Sequence, residues 1–413
     1  MASRYLEILN DWNFWEKDID TGVKRRGYLD RLSYLISIGE IVAISGVRRC
    51  GKSTILRQFI KELRETKKVP FRNTLHINFE DPRFGQSLDA MDLFEIYKEY
   101  KEKLKPKGKI YLFLDEVQSV ARWEKFLRTL YDLEENAAFV VTGSNSTVFS
   151  SKLSTVLTGR VIEMPVAPLS FAEYSGFSDG DFDEYLRFGG FPLVVLEKNE
   201  EKKREILISY YTDILENDVI IRNGIKNKEK VKDLALYLLS NAGNLVSSYA
   251  LEKMLKISDG EVSRYLKFLE EAYLISRAPL FSYSVRKQIY NPDKVFCVDT
   301  GLANTAGFNF SENKGRALEN MVFNKLSQER QRVFYWKNGA EIDFVLQKGM
   351  KVTDLINVTQ TVDDEEVLQR ELRALDLGQK EFSQAKTRLI TLYNESKQTD
   401  PRICSLEKFL LDA

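Results

Sequence analysis

The chain has 413 residues, with 61 Lys or Arg against 61 Asp or Glu and 43% apolar residues. That length is enough for several domains with their own cores, and the ordinary apolar share excludes wholesale disorder and fibrous repeats. Zero net charge removes the bulk positive field of a general polyanion binder, so any nucleic-acid surface has to be local. The single histidine, His76, excludes a multi-His zinc site and a metalloprotease His pair. In the alternating run 75–79 it reads as a structural or cofactor-adjacent residue. Cys50, Cys297 and Cys404 are odd in number and far apart, which fits neither a disulfide framework nor a metal knuckle and points to a reducing cytoplasm. The N-terminus is charged and lacks an export-type apolar run, and no apolar stretch approaches the roughly 18 residues of a membrane span. A cytoplasmic protein without a membrane partner is expected.

From residue 40 to about 165, short apolar runs alternate with longer amphipathic ones, the pattern of a parallel sheet covered by helices. Strands are predicted at 41–45, 74–79, 110–114, 137–142 and 161–164, with helices at 52–65, 88–103, 123–134 and 146–153. After the first strand comes Gly46-Val47-Arg48-Arg49-Cys50-Gly51-Lys52-Ser53, then Thr54 inside a helical pattern. This is G-x-x-x-x-G-K-[ST] in the context it needs: glycines let the backbone fold tightly so that N–H groups and the helix N-terminus face phosphate oxygens. Gly46 through Thr54 are therefore the expected ATP-binding residues, with Lys52 on the β and γ phosphates and Ser53 on Mg²⁺. The buried-strand run 110–114 ends in Asp115-Glu116 at the carboxyl edge of the sheet, where ligands bind in open α/β folds. Asp115 is the second expected Mg²⁺ residue and Glu116 the group that orients the attacking water. The strand 139–142 runs into Gly143-Ser144-Asn145-Ser146, where Asn145 is preferred over Ser144 as a polar contact to the γ-phosphate or the water. The alternative is that Asn145 or Ser146 caps the next helix.

Residues 20–175 thereby resemble an AAA+ ATPase, with 46–53 as its Walker A, 112–116 as its Walker B and 142–145 as its first sensor. The motifs Gly-x-Arg-Arg-x-Gly-Lys-Ser, Leu157-Thr158-Gly159-Arg160, Leu169-Ser170-Phe171-x-Glu173-Tyr174 and Gly189-Gly190-Phe191-Pro192 further resemble an archaeal and bacterial ATPase family with a largely uncharacterised C-terminal domain. The resemblance implies an α/β fold with sheet order 5-1-4-3-2 over 1–175 and a helical lid or linker over 176–225. It also implies Arg160 as the cation that completes the transition-state site, of this chain or of a neighbouring subunit in a homo-oligomer. Arg49 is a second candidate for that role.

Residues 182–222 are predicted to be mostly helical, with 197–205 a charged run on a solvated face. Between Arg222 and Phe296 there are thirteen Lys or Arg against eight Asp or Glu, a local excess of five positive charges. Ser258-Asp259-Gly260-Glu261 matches a capping box, and Val262, Tyr265, Leu266 and Leu269 follow at helical spacing, leaving Arg264 and Lys267 outward. A shorter helix at 249–255 precedes it, and a strand pair at 274–281 and 294–299 follows, with Arg286-Lys287 near its tip. The segment 226–300 resembles a winged helix whose Arg264, Lys267, Arg286 and Lys287 would contact DNA phosphates. Winged helices also serve as protein-binding modules.

From about 314 the pattern reads helix, three strands, helix, strand, a separate unit over 301–413. Glu319 on a helix, Glu341-Ile342-Asp343 and Asn357-Val358-Thr359 resemble a PD-(D/E)xK nuclease, or restriction-endonuclease-like, core. That core needs two strand carboxylates for Mg²⁺ and a lysine near the scissile phosphate. Asp343, with Glu341 and Glu319, matches the acidic part, but Asn357 and Thr359 stand where the second acid and the lysine belong. An inactive nuclease fold kept for binding or assembly is expected. Three functions remain: an ATP-driven motor or remodeller on DNA, a nucleotide-controlled protein switch or scaffold, and, disfavoured by Asn357 and Thr359, an ATP-dependent nuclease.

Overall fold

A computed structural model of the chain describes residues 4–85, 87–146, 157, 159–307, 314–392 and 400–412. The chain divides into two compact units, 1–166 and 167–413.

The first unit contains α1 (Arg4–Trp12), α2 (Arg26–Ile38), β1 (Ile41–Ser45), α3 (Lys52–Glu65), β2 (Thr74–Asn78), α4 (Ala90–Leu104), β3 (Ile110–Asp115), α5 (Trp123–Leu133), β4 (Ala137–Gly143) and β5 (Val161–Pro165). The five strands pair in parallel in the order β2-β3-β4-β1-β5, which numbered along the chain reads 5-1-4-3-2. Central strands of a parallel sheet are covered on both faces and so become continuous apolar runs; every residue of β1 is buried. The periodicity does not assign α1 or α2. Just after α1, the Asn13 amide donates to the His76 carbonyl and accepts from the His76 N–H, both at 2.8 Å, and Trp15 Nε1 donates to Thr74 O. Side chains thus satisfy the outer edge of β2, which would otherwise invite pairing with another chain. The helix predicted from 88 starts two residues later: Leu88–Asp89 pairs with Val120–Ala121, and Asp89 closes a capping box with Asp92. The helix predicted at 146–153 lies outside the described residues beyond Ser146.

The second unit opens with four helices, α6 (Phe171–Phe177), α7 (Phe182–Phe188), α8 (Pro192–Leu196) and α9 (Glu200–Asp213), and α9 continues as a π-helical stretch, Ile214–Ile221. Then come α10 (Lys228–Ser240), β6 (Leu245–Val246), α11 (Ser248–Leu255), α12 (Asp259–Glu271), β7 (Ile275–Ala278), α13 (Val285–Tyr290) and β8 (Asp293–Cys297). The strands form an antiparallel sheet, β6-β8-β7. Ser258 and Glu261 close the capping box of α12, which buries Val262, Tyr265, Leu266 and Leu269. The two-residue β6 and the short α13 between β7 and β8 escape a periodicity reading because neither is long enough to repeat its period.

The chain ends with α14 (Thr300–Ala306), α15 (Lys314–Gln328), β9 (Arg332–Lys337), β10 (Glu341–Lys348), β11 (Lys351–Thr359), α16 (Glu365–Glu381), β12 (Lys386–Thr391), β13 (Ile403–Ser405) and α17 (Leu406–Leu411). Its sheet runs β9-β10-β11-β12-β13, antiparallel through β11 and parallel beyond. One apolar cluster joins Phe171 and Leu186, Phe296 of β8, Val322 of α15 and Phe344 of β10. Boundaries expected at 225 and 300 therefore do not separate independent bodies. The loop between β7 and β8 is tied to β9 at its neck, where β7 ends and β8 begins: Phe281 N–H donates to Tyr335 O at 2.6 Å, Tyr335 N–H to Pro279 O at 3.1 Å, and Tyr335 Oη to Pro292 O at 2.6 Å.

Gly189-Gly190 is explained by a buried carboxylate. Asp299 accepts from Gly190 N–H at 2.7 Å and Leu302 N–H at 3.1 Å, and a Cβ on Gly189 would lie 2.1 Å from Asp299 Oδ1. Burial pushes the Asp299 carboxyl up to about 6, against the N–H bonds, which favour the anion. The native structure thus holds this proton more tightly than the unfolded chain does. The resulting stabilisation is complete below the unfolded pKa near 4 and is lost as pH rises through about 6. Urea midpoints followed through Trp336, which lies in this unit, are expected to fall over that window in the parent and to lose this component in Asp299→Asn.

Candidate nucleotide site

The loop after β1 is shaped by three residues in left-handed backbone conformations, Gly46 (φ 145°), Arg49 (φ 70°) and Gly51 (φ 101°). Alternating handedness turns successive N–H groups to one side, making a concavity that suits anions at the start of α3. Gly46 is required for a second reason, because a Cβ there would lie 2.0 Å from Val166 O. The loop is braced from outside its motif: Arg25, itself buried, donates from Nη1 to Cys50 O at 3.0 Å, and Cys50 Sγ donates to Val166 O at 3.3 Å. Burial pushes the Cys50 thiol up, so it acts as packing and not as a nucleophile. Arg48 turns outward to Glu80 at 3.0 Å. Val47 is buried in the loop, and Thr54 lies in the first turn of α3 beside Arg57.

Lys52, at the first position of α3, is buried and donates from Nζ to Gly46 O (3.0 Å) and Val47 O (3.2 Å), with Glu116 Oε1 at 3.6 Å. Burial disfavours the ammonium, but Glu116, Cys50 and Asp115 outweigh it and raise the Lys52 pKa. Glu116 Oε2 accepts from Gln118 Nε2 at 2.5 Å, and Gln118 also reaches Ser144 Oγ at 3.3 Å. Glu116 sits in a left-handed conformation (φ 56°, ψ 52°) that costs a non-glycine residue about 1–3 kcal/mol and persists only where its surroundings hold it. Thr142 is what holds it: its hydroxyl accepts from Glu116 N–H at 2.8 Å and donates to Asp115 Oδ1 at 2.5 Å. One β4 hydroxyl thereby fixes both acids of β3.

Asp115 is buried, which by itself would raise its pKa, yet His76, Thr142 and Ser53 hold the carboxyl below the usual range. Its Oδ2 accepts no hydrogen bond within 3.5 Å, and His76 Nε2 stands 3.6 Å away while His76 Nδ1 contacts Trp12 O at 3.2 Å. An ionised, buried carboxylate oxygen without a donor, next to the Ser53 hydroxyl, suits the hydrated shell of Mg²⁺. Asn145 is buried just past β4, whose Thr142 and Gly143 pair with Ile44 and Ser45 at the same sheet edge as the loop.

The structure therefore gathers Gly46 through Thr54, Asp115, Glu116 and Asn145 at one edge and leaves Arg160 elsewhere. Ile41 N–H donates to Arg160 O, which puts Arg160 at the start of β5, roughly 16 Å of strand from the loop at the far end of β1. There it pairs with Asp132 at 2.5 Å and lies over the Tyr131 ring. Arg160 does not complete its own chain's site. Sequence reasoning missed Arg25, Gln118 and Thr142's double role; Thr142 stood inside the quoted sensor run, whereas nothing local marks Arg25 or Gln118.

In the second unit Arg264 and Lys267 are exposed on α12, paired only loosely with Glu261 (3.8 Å) and Glu271 (3.7 Å), and Arg286 and Lys287 are exposed on α13. Glu319, Glu341 and Asp343 converge, but on the ammonium of Lys294 from β8, which the sequence reading did not single out.

The residues that form the parallel sheet and its loop match the family described as AAA domain over 39–175, and a domain of unknown function matches 179–314. The chain belongs to the family of two uncharacterized proteins. One, from Haemophilus influenzae, is 32% identical over 345 residues, covering 80% of this chain and 85% of that protein. The other, from Methanocaldococcus jannaschii, is 33% identical over 384 residues, covering 86% and 82%. Among solved structures, a DNA polymerase III gamma subunit-related protein from Thermotoga maritima is similar at 16% identity and a TM-score of 0.28, covering 73% of this chain and 99% of that one. No described helix is long and apolar enough to cross a membrane.

Proposed function

We propose that this protein hydrolyses ATP with Mg²⁺ and couples turnover to DNA binding or remodelling, working as a homo-oligomer. The supporting observation is the convergence of Lys52, Ser53, Asp115 and Glu116 under the Thr142 hydroxyl. Loop N–H groups and Lys52 bind and neutralise phosphate oxygens, Ser53 and Asp115 hold the metal shell, and Glu116 aligns the water. Mg²⁺, when bound with ATP, supplies further charge neutralisation at the transferring phosphoryl group. The place of Arg160 at the opposite end of the sheet favours a trans role for it, supplied by a neighbouring subunit, while Arg49 is the loop's own candidate for the cation.

The DNA side of the reading rests on the β7–β8 tip and α12. Residues 279–292 contain Arg286 and Lys287 and no acid, and Arg264 and Lys267 are exposed on the helix that follows a helix-turn-helix order. Reversing these four charges is expected to weaken duplex binding and to flatten its salt dependence by up to about four phosphate contacts, each near 0.9 in log–log slope. Fluorescence anisotropy over a salt series checks this, together with ATP turnover on single-stranded, duplex and branched DNA. A second reading, a protein-directed switch, draws on the same tip: Tyr283, Val285, Ile289 and Tyr290 are 77%, 68%, 74% and 79% exposed, more apolar surface than a short solvated helix needs. Turnover indifferent to every DNA form selects it.

A further inference from the structure

The C-terminal acids resemble a metal site in sequence, and their surroundings do not fit one. Lys294 Nζ lies 2.8 Å from Asp343 Oδ1, 3.2 Å from Glu319 Oε2 and 3.2 Å from Glu341 Oε1, and its side chain is 4% exposed. An ammonium has three N–H donors; it hydrogen-bonds Glu319 and Asp343, and Glu341 completes the ring of ion pairs. The place a divalent ion would take between these oxygens is already filled by a covalently tethered cation. Asn357, which stands where a second strand acid would stand, accepts from Asp343 N–H at 3.2 Å and donates to Glu371 Oε2 at 2.7 Å, so its amide is committed to neighbours. Asp343 Oδ2 is engaged by Val358 N–H at 2.9 Å. Among the described residues no group of acids, His or Cys is arranged to hold a metal.

We propose that Lys294 is the permanent cation of the Glu319–Glu341–Asp343 cluster, a latch that fastens β8 of the three-stranded sheet to α15 and β10 and closes the cluster to divalent metal. The elements joined by this contact also share the apolar cluster that contains Phe296, two residues beyond Lys294, and Phe344, one residue beyond Asp343. A buried ion-pair network is strongly disturbed by removing one partner, because the remaining charges stay desolvated without compensation. Burial and the Asp343 charge push the Glu319 carboxyl up to about 8, against the pull of Lys294. Glu319 is thus driven toward its protonated form, and removing the ammonium would leave the cluster without its compensating charge.

The test uses the full chain carrying Ser53→Ala and Asp115→Asn, so that the phosphate loop takes no metal, and titrates Mn²⁺ by electron paramagnetic resonance without nucleotide. No Asp343-dependent binding is expected at millimolar Mn²⁺; one ion bound per chain and lost on Asp343→Asn overturns the proposal. Urea unfolding is the second measurement. Lys294→Met is expected to lower the midpoint of the second unit or to leave it unfolded, and adding Glu319→Gln with Asp343→Asn is expected to restore part of the loss. A Lys294→Met midpoint equal to the parent's, or a triple variant no more stable than the single one, also overturns it.

Discussion

Lys52→Ala is expected to reduce ATP turnover by at least about 10³-fold, the scale of about 4 kcal/mol of transition-state stabilisation. Its ammonium is the charge that the loop aims from the first turn of α3, whereas Arg48 is turned to Glu80 and Arg25 braces the Cys50 carbonyl. Glu116→Gln is expected to separate binding from chemistry. Glu116 stands 3.6 Å from Lys52 and must exchange that partner when the ammonium turns to phosphate oxygens. A neutral amide releases Lys52 more readily, so ATP affinity is expected to be equal or higher while turnover falls roughly 10²- to 10³-fold. Fluorescent-nucleotide titration and phosphate release, measured on the same preparations, give both quantities. Wild-type turnover in Glu116→Gln would remove Glu116 from the chemistry.

Gly46→Ala is the second large effect. The new methyl would start 2.0 Å from Val166 O in a backbone conformation (φ 145°) that side chains rarely adopt. The clash is with main chain, so the loop or the end of β5 has to move, and both belong to the anion-binding concavity. A loss of about 3 kcal/mol is a reasonable scale for a backbone-imposed clash of this kind. In a unit of this size that lowers the melting temperature by roughly 6–12 °C, with nucleotide binding lost. Differential scanning fluorimetry with and without ATP tests both; a parent-like melt that ATP still raises would show that the loop accepts a side chain.

The parts legible in the sequence are those whose signal is local. The phosphate loop has fixed spacing, β3 ends in its acids because a covered parallel strand is apolar up to the exposed edge, and α12 carries its own capping box. What stayed hidden depends on partners far along the chain. His76 looked structural or cofactor-adjacent, and its two ring nitrogens face Trp12, 64 residues away, and Asp115. Lys294 is one of many lysines in a basic stretch until the fold puts it against acids 25 and 49 residues downstream. Arg160 shows how topology narrows a reading that the sequence leaves open between this chain and a neighbouring subunit. Its motif precedes a strand, and in a parallel sheet whatever precedes a strand stands at the end away from the ligand edge, so a role within the same chain was closed by topology.

The ties at the neck of the β7–β8 loop have a mechanical consequence. A free loop bends easily and dissipates a push at its tip. Here Phe281, Tyr335 and the Pro279 and Pro292 carbonyls clamp the neck of the 279–292 loop, where β7 ends and β8 begins, to β9, the outer strand of the five-stranded sheet. The loop 279–292 is therefore held at both of its ends, and a load applied at Tyr283 or Tyr290 reaches the sheet through that fixed neck. Tyr335→Ala removes only the tie to Pro292, the two main-chain bonds to Pro279 and Phe281 remaining, so it should leave the tip's chemistry intact and loosen the loop at its β8 end alone.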